Sequence, residues 1–160
     1  SGIVTTSGIG SVAGGTNGLA PAWDHIVGLE SAVANTNASG NVYLTNSKVR
    51  GKLKRTQFVS SSSTGFIWDG ANQLNGYRTA VSNVVSSTLT KGTSSGVCSA
   101  ILFGDFSKYF IRRIVGMQIL RLVERYAELN QVGFIGFQRW DGNLVDAGTH
   151  PIKYLQQSAT

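Results

Sequence analysis

Hydrophobic positions change their period several times along the chain. Over residues 21–34, Trp23, Ile26, Val27, Val33 and Ala34 recur at three- and four-residue spacing behind Pro21, a residue suited to a first helical turn, and predict a helix that residues 35–40 end. Residues 42–45 are a short β-prone run, after which Asn46 can cap a helix reaching about Thr56. Residues 60–75 hold four consecutive serines, glycines and the isolated triplet Phe66-Ile67-Trp68, and read as a surface loop with one anchored apolar patch. Strands are predicted over 77–85 and 100–104, separated by a Ser/Thr/Gly loop over 88–99. Residues 109–115 and 117–123 are also β-like, with Gly116 as a hairpin point, and 124–129 read as a short helix or turn. Residues 131–140 alternate, Asp141-Gly142 signals a turn, and 152–155 form a last strand after the His150-Pro151 break. The first eighteen residues read as a loop. Helices and strands in this non-alternating order predict an α+β fold, a mixed sheet with flanking helices.

Composition narrows the picture. A chain of 160 residues with 41% hydrophobic and 14% charged residues is globular, and at this length one core needs no staples. No apolar run approaches the ~18 residues that cross a bilayer, and no signal-peptide series opens the chain, so no membrane partner is expected. Cys98 stands alone, and His25 and His150 are the only imidazoles, which excludes an internal disulfide and a Cys-rich zinc module. Met117 is the only methionine, so the chain is expected to be a fragment or processed product. The net charge of +6 permits a polyanionic partner, and five of the fourteen cations, Lys48, Arg50, Lys52, Lys54 and Arg55, fall in the second predicted helix.

The chemical motifs dissolve in context. Gly8-Ile9-Gly10-Ser11-Val12-Ala13 matches a dinucleotide string, but the glycines that follow forbid the helix whose amino terminus would hold a pyrophosphate. Gly92-Thr93-Ser94-Ser95-Gly96 matches a nucleophile elbow, with Asp141 or Asp146 and His150 downstream; a loop precedes it and a strand follows, the reverse of what an elbow needs. Cys98 reads as a small buried thiol, Asp141 and Asp146 as turn residues, and His150 as the residue before a proline break. No catalytic, metal or cofactor residue is expected. Lys48, Lys52 and Arg55 share one helix face and could meet phosphates or acidic side chains.

The segment ILFGDFSKYFIRRI, residues 101–114, resembles a hallmark of the major capsid proteins of tailed bacteriophages, those with the Hong Kong ninety-seven fold. SGIVTT is similar to the family's glycine-containing stretch after its spine helix, VYLTNSKVRGKLK to its strand and short helix, and NGYRTAVSNVV to the segment before the hallmark. NQVGFIGFQRWDGNLVDAGTHPIKYL is similar to its closing strand, turn and strand; Arg78 departs from the family, which often has proline there.

The resemblance implies a glycine-rich opening segment over 1–18, an axial domain over 19–130 and a peripheral part over 131–160. The family's amino-terminal arm, extended loop and spine helix would precede Ser1. It implies a structural subunit that forms pentamers and hexamers of an icosahedral shell around double-stranded DNA, located in the virion and assembled in the bacterial host cytoplasm. Its partners would be copies of itself, with a scaffold or protease, a portal and packaged DNA as further ones and no small-molecule substrate. Gly104, Asp105, Phe106 and Tyr109 are expected as fold residues of the motif, and Lys48, Lys52, Arg55 and Trp68 as contacts between subunits. A bacterial nanocompartment shell of the encapsulin kind and a basic nucleic-acid-binding domain are the alternatives.

Overall fold

The computed structural model describes residues 2–6, 8–15, 19–34, 39–59, 62–89, 99–145 and 147–157. In chain order the elements are β1 (Ser11–Ala13), α1 (Trp23–Ala32), β2 (Asn41–Thr45), α2 (Ser47–Leu53), β3 (Gln57–Val59), β4 (Ser62–Phe66), β5 (Gln73–Leu74), β6 (Tyr77–Val81), β7 (Ser99–Asp105), β8 (Tyr109–Leu122), β9 (Gly133–Leu144) and β10 (Ile152–Gln156). Six strands make one mixed sheet in the order β1-β10-β7-β2-β6-β5, and the pairs β3-β4 and β8-β9 stand apart as two-stranded ladders. This is the α+β class the element order predicts.

The main core fills one side of the sheet. Tyr43, Ile101 and Phe103 pack with Ile26, Leu29 and Val33 of the α1 segment, Val49 and Leu53 of α2, and Ile67, Trp68 and Leu74. A smaller cluster of Ile9, Leu144 and Ile152, joined by Ile3, Phe106, Tyr109 and Tyr154, ties the chain start and the base of β8 and β9 to the sheet. Strand β10 serves both: Ile152 and Tyr154 reach the small cluster, Leu155 the main one, as a period of two requires.

Inside the main core sits a carboxylate. Glu30 is buried and accepts hydrogen bonds from the Tyr43 hydroxyl at 2.5 Å and from Asn75 Nδ2 at 2.7 Å. Burial, followed by the Glu30 hydrogen bond, holds the Tyr43 hydroxyl well above the ordinary tyrosine range. Asn75 and Gly76 both have positive φ and connect β5 to β6 through a two-residue turn, the chemistry that Asn-Gly favours.

Several expectations are corrected. Residues 11–13 are not loop but a strand paired in parallel with β10. Residues 60–75 contribute β4 and β5, with Phe66 opposite Gln57 in a hairpin. Gly116 is not a hairpin point: β8 runs through it for 14 residues with a bulge between Ile114 and Gln118, because pairing all of β8 with β9 satisfies more backbone groups than folding it on itself. Asp141-Gly142 lies within β9, opposite Arg112 and Ile111, rather than in a turn. Cys98, Asp146 and residues 92–96 lie outside the described residues.

Candidate functional site

The motif residues form one turn at the end of β7. Gly104 has φ +143°, and a side chain on it would fall onto the Pro151 carbonyl and within 2.7 Å of Ile152 Cα, so β10 can approach only a glycine. Asp105 follows: its amide donates to the Pro151 carbonyl at 3.0 Å, and its Oδ1 accepts from the Ser107 amide at 3.0 Å, capping a 3-10 turn over Phe106–Lys108. Phe106 and Tyr109 then pack on the small cluster. The turn aims the chain out of the sheet and into β8.

What leaves the sheet is a ladder about 45 Å long, at roughly 3.3 Å per residue. Three glycines of β9 each lie beneath a side chain from β8 or the connecting turn. Tyr109 covers Gly142, Met117 covers Gly136, and Tyr126 covers Gly133. Yet both faces of the ladder carry exposed apolar side chains among exposed arginines. On one, Ile119 is 66% and Phe134 is 68% exposed; on the other, Leu120 and Phe137 are more than half exposed. Nearer the sheet Phe110, Ile111, Ile114 and Trp140 are exposed as well, with the Arg113 guanidinium 5.6 Å from the Trp140 ring centre. Exposed apolar side chains of this extent on a two-stranded ladder mark it as the candidate interaction surface.

The sequence expectations fare unevenly here. Lys48, Lys52 and Arg55 are exposed along α2, whose first amide turn is held by Asn46 Oδ1, 3.0 Å from the Lys48 amide. They start where β2 ends, four residue steps or about 13 Å from the strand position opposite Asp105, so they do not join the motif turn. Trp68 is corrected: it is 2% exposed, its Nε1 donates to the Gly70 carbonyl at 2.8 Å, and it belongs to the core instead of to a surface that a neighbour could reach. The ladder side chains were not singled out from sequence. Their signal was present in two alternating runs whose both faces are apolar, 109–123 and 131–140.

Among the described residues, the motif candidates occupy structural positions. Gly8 and Gly10 lead into β1 rather than a helix. His25 Nδ1 accepts from the Ala22 amide at 3.1 Å as a helix cap, and His150, at φ +55°, packs its ring against Gly10. Among the described residues, no group of three or more His, Cys, Asp or Glu side chains could hold a metal, and no helix is long and apolar enough to cross a membrane.

A family model described as "Phage capsid family" matches residues 1–156. Solved capsids have the same fold. The capsid of a native GTA particle, computed with C5 symmetry, superposes with a TM-score of 0.72 at 25% identity, and that of an empty GTA particle with 0.69 at 23%. Both alignments cover 94% of this chain and 50% of the other. A chain of Mycobacterium phage Ogopogo superposes with a TM-score of 0.64 at 12% identity, covering 99% of this chain and 56% of the other. The chain thus spans about half the length of the capsid chains it matches. No curated protein is similar to it at a significant level.

Proposed function

The chain belongs to the phage capsid family, and from that membership we propose that it forms the sheet and ladder portion of a shell subunit, which associates with copies of itself into pentamers and hexamers of an icosahedral virion shell around double-stranded DNA. One observation carries the reading: the β8-β9 ladder exposes large apolar side chains on both faces, a surface suited to being covered by assembly or by further chain. The rotational symmetry of the GTA capsids supports the same association, since a head-to-tail contact that closes on itself makes a ring. We divide the chain accordingly, with the six-stranded sheet, α1 and α2 as the axial unit and the ladder as the peripheral one.

The roles follow from shape and burial, without chemistry. Gly104 and Asp105 set the angle at which the ladder leaves the sheet, Phe106 and Tyr109 anchor its base, and Ile119 and Phe134 supply apolar area that a neighbouring surface removes from water. At about 25 cal/mol per Å2, burying each of the latter is worth roughly 1.5–3 kcal/mol.

The test is light scattering with negative-stain microscopy on the gene product that carries this chain. Closed shells of megadalton mass are expected, and Ile119→Asp with Phe134→Asp should abolish them while circular dichroism shows the sheet intact. A wild-type product that stays a folded monomer under every assembly condition, or normal shells from the double variant, overturns the reading.

A further inference from the structure

Most of the protein's excess positive charge sits on one short helix and the turn that ends it. Lys48, Arg50, Lys52, Lys54 and Arg55 fall within eight residues, against a net charge of +6 for the whole chain. Lys48, Lys52, Lys54 and Arg55 are exposed and Arg50 is half-buried, and among the described residues none of the five pairs with a carboxylate. Segment 41–59 contains no acidic residue at all.

The helix dipole accounts for only part of this. Cations in the last turn of a helix, here Arg50 and Lys52, are favoured by the dipole. Lys48 is in the first turn, where the same dipole disfavours a cation, and it nevertheless shares a helix face with Lys52, while Arg55, in the turn just beyond, folds back to donate through Nε to the Gly51 carbonyl at 3.2 Å. The stripe is also held in place. Val49 and Leu53 are fully buried on the opposite side, and Asn46 both caps the helix and donates through Nδ2 to the Val85 carbonyl at 2.8 Å. Like charges packed this closely on a fixed scaffold repel, and an anionic partner relieves that repulsion.

Among the described residues, a second copy of this chain offers no cluster of free carboxylates to match the stripe. Glu30 is buried, Asp105 is spent on its 3-10 turn, and Asp141 stands opposite Arg112 in the ladder. Glu124 and Glu128 are interleaved with Arg121 and Arg125, and Asp24 and Asp69 stand singly. Duplex nucleic acid does match, because it carries one negative charge per ~1.7 Å of axis and the stripe from Lys48 to Arg55 is about 10 Å long.

We infer that the Lys48-Lys52-Arg55 face of α2 binds the phosphate backbone of duplex nucleic acid, without reading its sequence. This goes beyond the shell reading and does not depend on it, because the face is complete within the protomer. It also replaces the expectation that these three residues meet a neighbouring subunit.

Fluorescence anisotropy of the chain with a labelled 20-base-pair duplex tests it. Three phosphate contacts predict a slope of log K against log salt near −2.7, a loss of about 40-fold between 50 and 200 mM salt. A scrambled duplex should bind equally. The triple variant Lys48→Gln, Lys52→Gln, Arg55→Gln should lose at least about tenfold at 50 mM and flatten the slope by about 2.7. A control that removes the same charge from the ladder and its connecting turn, Arg121→Gln, Arg125→Gln and Arg139→Gln, should change affinity less than about twofold. Circular dichroism confirms that each variant is folded. Equal losses in the two triple variants overturn the assignment to α2. Binding of anionic phosphatidylglycerol vesicles through α2 as tight as that of duplex overturns the choice of nucleic acid, as does loss of self-association in the α2 variant with duplex binding intact.

Discussion

Replacing Gly104 by alanine should cost more than the same change at any other described glycine. The residue stands opposite Ile152 of β10 and Val42 of β2, at φ +143°. A Cβ there meets backbone rather than a movable side chain: the Pro151 carbonyl oxygen, Pro151 C at 3.0 Å and Ile152 Cα at 2.7 Å. Forcing atoms into a packed site costs about 1–3 kcal/mol, and an L residue held in a sparsely populated backbone region about 1–3 kcal/mol more. Relaxing one of these by moving β10 weakens the Asp105 amide bond to Pro151 and the Ile152 packing, so a total of about 3–5 kcal/mol is expected. With a urea m-value near 2 kcal/mol/M, the unfolding midpoint followed by tryptophan fluorescence falls by about 1.5–2.5 M. Gly116→Ala is the control, since nothing lies within 4 Å of its Cβ position and its φ is not positive. A loss below about 0.5 kcal/mol for Gly104→Ala, or an equal loss for Gly116→Ala, refutes the close-approach argument.

Other outcomes follow from the same geometry. Asn46→Ala removes the α2 cap and the bond to Val85, and should lower stability by about 1–3 kcal/mol in thermal melts monitored at 222 nm. Trp68→Ala should cost about 3–5 kcal/mol by urea denaturation, whereas Trp140→Ala, at an exposed ladder position, should stay within about 0.5 kcal/mol and act on self-association seen by sedimentation velocity. The raised Tyr43 hydroxyl predicts alkaline sensitivity: the folded state keeps a proton that the unfolded chain releases near pH 10, so stability is fully present below that pH and falls above it by up to about 1.4 kcal/mol per pH unit. Tyr43→Phe should lose about 1–3 kcal/mol at pH 7 because Glu30 Oε1 loses its donor, and its stability above pH 10 should decline less steeply than that of the wild type in urea titrations.

Local order was legible in the sequence where one short-range rule governs. The apolar spacing behind Pro21 gave α1, Asn46 proved to be the cap of α2, and the apolar run after residue 99 became β7. Gly104 and Asp105 were singled out from their motif, and the close approach of Pro151 supplies the reason for the glycine. The Asn75-Gly76 turn was equally local, but it sat at the edge of a serine-rich stretch that read as loop throughout.

Pairing between distant segments decided the rest. Gly116 and Asp141-Gly142 carry real turn signals, and both lie inside strands because the β8-β9 ladder satisfies backbone groups along its whole length and outweighs two local bends. Residues 11–13 have little strand propensity and become β1 only because β10 offers them an edge. Whether an apolar side chain is core or contact was likewise undecided by its chemistry: Trp68 and Trp140 are the same residue in similar company, one enclosed by two helices and a sheet, the other exposed on a ladder with the Arg113 guanidinium over its ring. A sequence specifies which surfaces must leave water, and only the tertiary arrangement determines whether the chain itself or another molecule covers them.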